Sequence, residues 1–278
     1  MANNSGSIFQ NTMRVLAKRD LASALQSWGI YVTVFVSFMV SSWMLKSHLD
    51  TLRENNIMIT SYPVETPLSW SVIIVSLYLV FVSAVSISRE REQGTLETLW
   101  YGPVTAPSFL MAKYIKDLLL YLVALGCAAV YFWVASWMTN IGFTLDLVKA
   151  LGISFFVVSC FVSFGLFISS LAARVRSSVI WMIAVLLGFL AVWFANSVLN
   201  VMPEEALSSS LLYIRGTLSV LYTVIDWVSP FSYLSRAMSS ITVGNSLVYV
   251  LNIVYCLVYS AVLLVLATVI LKQRGVRA

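Results

Sequence analysis

The sequence contains little charge for its length. Of its 278 residues, 10% are charged and 60% are hydrophobic, and the mean hydropathy is +0.89. A soluble domain carries about 25% charged residues because its surface must be wetted, so this composition excludes a water-soluble fold. The net charge of +5 comes from basic residues scattered between apolar runs rather than gathered in one patch. We therefore expect no nucleic-acid partner.

The sequence is also poor in residues that hold metals or form disulfides. It has one histidine, His48, and three cysteines, Cys127, Cys160 and Cys256, each within an apolar run. None of the cysteines has the paired spacing of a metal or redox motif. We interpret them as small packing residues and expect no metal and no cofactor in this chain. Nor do residues 1–26 resemble a secretory signal, because they contain no short apolar core.

Catalytic motifs are absent as well. The sequence contains no G-x-x-x-x-G-K-[ST] loop for nucleotide phosphates, no H-E-x-x-H and no G-x-S-x-G. We therefore expect no enzymatic activity in this chain. The centres of the apolar runs also lack ionisable residues, which ion-coupled transporters place there. This counts against a secondary transporter.

What the sequence has instead is six apolar runs, each close to the ~20 helical residues that cross a bilayer. They cover residues 28–45, 68–88, 118–138, 151–173, 178–199 and 247–271. A helix satisfies its own backbone in lipid, so we predict one all-α transmembrane domain over residues 1–278. A further run, 211–228, is interrupted by Arg215 and Asp226, and we interpret it as a re-entrant or interfacial helix.

The basic residues predict the orientation of these spans. With the N-terminus in the cytoplasm, twelve of the 17 lysines and arginines fall in cytoplasmic segments and five in outer segments. Cytoplasmic loops are enriched in basic residues, so we expect both termini in the cytoplasm. Lys113, Lys116 and Asp117 precede the third span, and we expect them to reach the inner membrane surface.

Three segments outside the spans have features of their own. Residues 14–26 alternate apolar and charged residues at helical spacing and predict an amphipathic helix on the inner membrane surface. Residues 89–116 form the loop between the second and third spans, and residues 200–246 form a long outer segment.

The loop at 89–116 begins with the richest local pattern of the chain. Gly94 can end the second span in a left-handed conformation, and Thr95 can cap a new short helix. Leu96, Leu99 and Trp100 share one face of that helix, which predicts an apolar ridge turned towards the cytoplasm. An ordinary interfacial loop explains the pattern equally well.

Polar and aromatic residues within two spans suggest a candidate substrate path. Ser163 lies in the fourth span, and Phe189, Trp193 and Asn196 lie in the fifth. The alternative is that the serines of the fourth span are helix-packing residues, which we favour. The aromatic residues of the fifth span are equally typical of lipid-facing positions.

Three separated motifs point to a known family. They are Lys18-Arg19-Asp20-Leu21; R-E-R-E-Q-G-T-L-E-T-L from Arg89 to Leu99, followed by Pro103 and Lys113-Tyr114; and Ser229-Pro230-Phe231 with Arg236. In order and spacing these motifs resemble the type-2 membrane permeases of ATP-binding-cassette (ABC) exporters, especially the branch related to the gliding-motility permease. The second motif is similar to the family's E-x-G-T-x-E-x-L segment. Asp20 departs from the family, which usually has Glu there.

The resemblance implies a half-permease in the plasma membrane (the inner membrane of the cell) that exports a hydrophobic or amphipathic substrate. Two copies of a separate ATPase subunit would bind the ATP and Mg, and a second copy of this chain or a related permease would complete the pathway. Lys18, Arg19 and Asp20 would belong to an elbow helix. The residues implied to contact the ATPase subunit, through a hinge and a coupling helix, are Arg89, Glu90, Arg91, Glu92, Gly94, Thr95, Leu96, Glu97, Leu99 and Trp100.

Two alternatives stay open at this point. A permease of this shape can transmit force to a partner on the outer face through residues 200–246 without releasing a solute. A channel or secondary transporter would need no ATPase, but the missing intramembrane charges do not favour it.

Overall fold

The computed structural model describes residues 2–54, 65–101, 104–139, 144–201, 209–242 and 245–275. Within these residues the chain forms ten α-helices and no strand. In chain order they are α1 Ala2–Leu25, α2 Trp28–Glu54, α3 Glu65–Glu92, α4 Thr95–Trp100, α5 Ala106–Thr139, α6 Leu145–Leu171, α7 Val175–Val201, α8 Ser209–Val228, α9 Pro230–Thr242 and α10 Ser246–Gly275.

Six helices of the described part are long and apolar enough to cross a membrane: α2, α3, α5, α6, α7 and α10. The predicted all-α fold with six spans is therefore confirmed. Helix α8, which covers the run at 211–228, is not among the six. The main difference lies in the third span, since α5 begins at Ala106 rather than near residue 118.

The core of the bundle is built around α6. This helix packs mainly on α3 and α10, and α9 also contacts it. Its small residues allow the close approach: a Cβ atom on Gly165 would lie 2.6 Å from the carbonyl oxygen of Val80 on α3. The serines of α6 are all buried, as the packing interpretation of the fourth span requires.

The other helices attach to this core at its two ends. Helix α1 packs along α5, where Leu16 and Ala17 contact Ala112, so the amphipathic helix predicted at 14–26 is part of a longer one. At the opposite end α9 lies against α6 and α10, and α8 contacts α7 and α9. An ion pair between Arg236 and Asp226 joins α9 to α8.

Candidate functional site

The junction between α3 and α4 holds the motif that the sequence singled out. Helix α3 ends at Glu92, and Gly94 follows with φ 69°, so its left-handed conformation is confirmed. Gly94, rather than Thr95, is the N-cap of α4. Thr95 is already the first helical residue, and its hydroxyl donates to the carbonyl oxygen of Glu90, 3.1 Å away. The predicted cap at Thr95 is therefore wrong, because Gly94 already supplies the change of direction.

The apolar side of α4 faces the bundle. Leu96 is 6% exposed and belongs to the main core, and Leu99 packs against this core and against the α1–α5 contact. The prediction that these leucines form a ridge turned outward is therefore wrong. A helix of six residues buries its apolar side on the nearest apolar surface, which here is its own chain. Among the neighbouring residues Gly94 and Thr95 are exposed, and Tyr101 is 93% exposed.

Part of the predicted contact set lies outside the described residues. The side chains of Glu97, Thr98 and Trp100 are not described, and neither are residues 102–103. The roles predicted for Glu97 and Trp100 stay predictions.

A charge cluster joins three helices at this end of the molecule. The Lys113 ammonium on α5 contacts a carboxylate oxygen of Asp20 on α1 at 2.6 Å and also contacts Glu90 on α3. Arg19 pairs with the other Asp20 oxygen at 3.0 Å. The first motif, around residue 20, and two parts of the second, around residues 90 and 113, therefore meet at one point.

The cluster changes the titration of Asp20. Burial raises the pKa of this carboxyl, but the ammonium of Lys113 and the guanidinium of Arg19 outweigh it, so the pKa is lowered from its ordinary value of 3.8. Asp20 is therefore ionised whenever the cluster is formed at neutral pH.

A second buried pair lies deeper along α5. Asp117 is fully buried; it contacts Lys116 at 2.6 Å and accepts a hydrogen bond from Ser83 on α3 at 2.7 Å. Lys113 and Lys116 are buried too. Their predicted position at the inner membrane surface stays a prediction. Because they find partners inside the bundle, the helix continues through them.

Arg91 and Glu92 reach the opposite side of the α3 terminus. The Arg91 guanidinium donates to the carbonyl oxygen of Ala172, the C-cap of α6, at 2.8 Å. A carboxylate oxygen of Glu92 accepts from the backbone N–H of Val175, the first residue of α7, at 3.0 Å. The turn between α6 and α7 is thus held at both its ends by neighbouring residues of α3.

The remaining predicted site residues are spread over the molecule. Lys18 and Arg89 are exposed on α1 and α3. Of the candidate substrate path, Ser163 is fully buried and donates to the carbonyl oxygen of Cys160 in its own helix. Phe189 lies against Phe164, Asn196 is half-buried and Trp193 is 58% exposed. The role of these four residues in a path stays a prediction.

Sequence reasoning missed two parts of this site. Lys113 was used only as a marker of the third span, and the turn at 172–175 was not considered at all. The signal for Lys113 was available, because a lysine inside an apolar helix requires a partner. For the turn there was no signal, since its groups that bind Arg91 and Glu92 belong to the backbone.

The described residues contain no group of three or more His, Cys, Asp or Glu side chains able to hold a metal ion. The chemistry of the junction is therefore that of ion pairs and hydrogen bonds between helices. Six apolar helices of membrane length within the described residues, with a short helix and a charged junction at one end, define a multi-pass membrane protein.

The chain matches a known family of membrane proteins over most of its length. A family model described as ABC-2 family transporter protein matches residues 16–276, and the chain belongs to this family. No curated protein matches the sequence. The chain is therefore the transmembrane component of an ABC transporter, which is not itself catalytic. Membership implies association with an ABC ATPase subunit and typically dimerisation.

Proposed function

We propose that this chain is the half-permease of an ABC exporter of the gliding-motility-permease type. It moves a hydrophobic or amphipathic substrate across the plasma membrane by alternating access. Two copies of an ATPase subunit bind ATP and Mg and dock at the end of the bundle that carries α4. A second copy of this chain, or a related permease, completes the pathway, and both termini lie in the cytoplasm.

The observation that carries this proposal is the position of α4. It stands beyond a left-handed glycine at the end of a span, it is anchored to the core by Leu96, and it leaves Thr95 and Tyr101 exposed. A partner that pushes on α4 therefore pushes on the core. An ATPase drives switching only if its contact with α4 differs between nucleotide states.

The location of the pathway follows from the packing of the spans. A cavity bounded by α2, α3, α5 and α6 has a volume of about 10 Å³, which is room for roughly one water molecule. A lipid-sized substrate does not fit it. The outer faces of α2, α7 and α10 are exposed in the single chain and rich in apolar residues. These observations support a path between two chains rather than within one.

A force-transmitting role is the second candidate, and the position of α9 favours it. Tyr233, Leu234 and Ala237 of α9 are buried in the core around α6. Movement of α6 therefore reaches α9 and, through the Arg236–Asp226 pair, α8. An outer partner that binds these helices would receive force without release of a solute.

The first experiment is co-purification of the tagged chain from its native membrane, followed by an ATPase assay. We expect a near-stoichiometric ATPase subunit. Tyr101→Ala removes an aromatic side chain that is 93% exposed beside α4. Truncation of a tyrosine at the centre of an interface costs about 2 kcal/mol of binding free energy, which weakens binding by roughly 30-fold. We expect the retained ATPase to fall accordingly.

Tyr213→Ala is the matched control, since Tyr213 is 79% exposed on α8 at the other end of the bundle. It should retain the ATPase subunit at the parental ratio. Equal losses in both variants would remove the assignment of α4 as the docking element. Transport by the chain without any ATPase, driven by an ion gradient, would refute the exporter itself.

A further inference from the structure

Three consecutive residues at the end of α3 reach in two directions. Glu90 contacts Lys113 and so connects to α5 and, through Asp20, to α1. Arg91 and Glu92 reach the turn between α6 and α7. The residues that precede α4 are thus bound to four other helices. The contacts with α1 and α5 are ion pairs between side chains, whereas the contacts with α6 and α7 are hydrogen bonds to backbone groups.

The contact of Arg91 lies at the end of the central helix. Ala172 is 2% exposed and its own N–H bonds back to Ile168, so it closes the last turn of α6. The carbonyl groups of a helix C-terminus carry partial negative charge, and a guanidinium there is favoured. Arg91 therefore binds α6 at the one place where a cation suits its dipole.

The contact of Glu92 lies at the start of the next helix. The N–H of Val175 has no partner within α7, because the first backbone donors of any helix lack one. A carboxylate satisfies such a donor and is favoured by the positive end of the dipole. Arg91 and Glu92, which are neighbours of opposite charge, therefore bind the C-terminus of α6 and the N-terminus of α7, and a short turn joins these two ends.

We propose that Arg91 and Glu92 are positioning residues that transmit movement of α4 to the α6–α7 turn, a second route into the bundle beside the Lys113 cluster. This inference rests on the proposed coupling role of α4. Only Gln93 and Gly94 separate this pair from α4 along the chain, so the backbone carries a displacement of α4 to the pair. Because α6 is the central helix, movement of its end reaches α3, α9 and α10.

The resemblance places both residues at the ATPase surface, but their contacts argue for the internal role. A side chain that binds backbone groups of its own chain is oriented by them and is not available in that geometry to a partner. The two roles predict different results: loss of a partner contact weakens the complex, whereas loss of a positioning residue leaves the complex intact and interrupts the movement.

Hydrogen exchange of the complex with its ATPase separates these results. In the parent protein, ATP with vanadate should change the exchange of the peptides that cover residues 95–101 and 172–178. In the Arg91→Ala/Glu92→Ala double variant the ATPase should remain bound and the change at 95–101 should persist, while the change at 172–178 disappears. Without nucleotide, the Val175 amide should exchange about fivefold faster, the factor for one hydrogen bond of about 1 kcal/mol.

Arg174→Gln is the control, because Arg174 is exposed on the same turn and its substitution leaves the contacts of Arg91 and Glu92 in place. It should leave both responses at the parental level. Arg91→Lys with Glu92→Gln keeps a donor and an acceptor and should restore part of the response at 172–178. Size exclusion of each variant shows that it is folded.

The results that overturn the inference are distinct from those that overturn the proposed function. A response at 172–178 that persists in the double variant, or that is missing in the parent while 95–101 responds, refutes the transmission route. Loss of the ATPase from the double variant assigns both residues to the partner surface and also refutes it. If the parent shows no response at 95–101, the coupling role of α4 fails, and the inference fails with it.

Discussion

Lys113 is the residue on which three helices depend. Its side chain is 9% exposed, and its ammonium group contacts the carboxylates of Asp20 and Glu90, whose side chains are each 14% exposed. Two carboxylates that contact the same ammonium group lie close together and would repel each other without that cation. The lysine therefore stabilises α1, α3 and α5 against one another.

Lys113→Met should release α1 from the bundle. Removing one partner of a buried ion pair costs about 3–5 kcal/mol because the remaining charges lose their compensation. We expect limited proteolysis of the detergent-purified variant to cleave within residues 2–25 far faster than in the parent. Lys149→Met is the control, since Lys149 forms an exposed pair with Asp146, which contributes about 1 kcal/mol at most. Equal protection of α1 in both variants would contradict the role of Lys113.

The same cluster makes the docking of α1 depend on pH. The folded pKa of Asp20 is lowered below 3.8, so its contribution is fully present above the unfolded value and is lost as pH falls through the folded one. Protection of α1 should therefore be constant from about pH 7 to 5 and decline below about pH 4. Asp20→Asn should remove this decline; a decline that persists at the same pH would assign it to another group.

At this scale the sequence predicts local geometry better than contacts. Gly94 was predicted from its position between a charged run and a helical pattern, because only local backbone geometry is involved. Leu96 was misplaced, because a single turn of helix does not indicate which side the rest of the chain covers. The contact of Lys113 with Asp20 joins residues 93 positions apart, and nothing local encodes it.

Among the elements, α6 and α3 approach each other closely at Gly165. A Cβ atom at Gly165 would lie 2.6 Å from the Val80 oxygen and 2.8 Å from the Cβ of Ser83. Both obstacles are backbone or lie next to it, so they cannot rotate away. Further along the same pair, the Ser169 hydroxyl accepts from the N–H groups of Ile87 and Ser88, at 3.1 Å each. These contacts fix both the register of α6 along α3 and the distance between the two helices.

Gly165→Ala should force α6 away from α3. Overpacking of this kind costs about 1–3 kcal/mol, which we expect as a lower melting temperature of the detergent-purified protein. Gly188→Ala is the control: a Cβ atom on Gly188 of α7 meets nothing within 4 Å. There the substitution should be neutral or raise stability by about 0.5–1 kcal/mol. If both variants melt alike, the close approach of α6 and α3 does not contribute to stability.

The number and order of the spans were predictable because length and apolarity are properties of each segment alone. The start of α5 was not, since charged residues at 113, 116 and 117 appeared to end the apolar window. They are tolerated because α1 and α3 supply an acid or a hydroxyl beside them. Element boundaries of this kind depend on tertiary contacts, which one sequence does not reveal.

For the whole molecule, the distribution of basic residues predicts that both termini lie in the cytoplasm. Alkaline phosphatase, which is active only outside the cytoplasm, tests this when it is fused after Asn245 and after Gly275. The two fusions differ by the single span α10. We expect high activity for the first fusion and low activity for the second, and green fluorescent protein at the same positions should give the reverse.

The opposite pattern of activities would invert the orientation of the whole bundle. It would place α4 outside the cytoplasm, where ATP-binding subunits do not operate, and so would refute the proposed docking site. Equal activity at both positions would mean that α10 does not cross the membrane, against the confirmed length and apolarity of this helix.

The pairing of Asp20 with Lys113 also orders the events of biosynthesis. The two residues are 93 positions apart, and at about 5–20 residues per second a ribosome needs roughly 5–20 seconds to synthesise the intervening chain. Until then Asp20 has no Lys113 to bind, although the first two spans have already been made. A helix that precedes all six spans is thus among the later ones to reach its final contacts, and the arrival of the third span decides when it does.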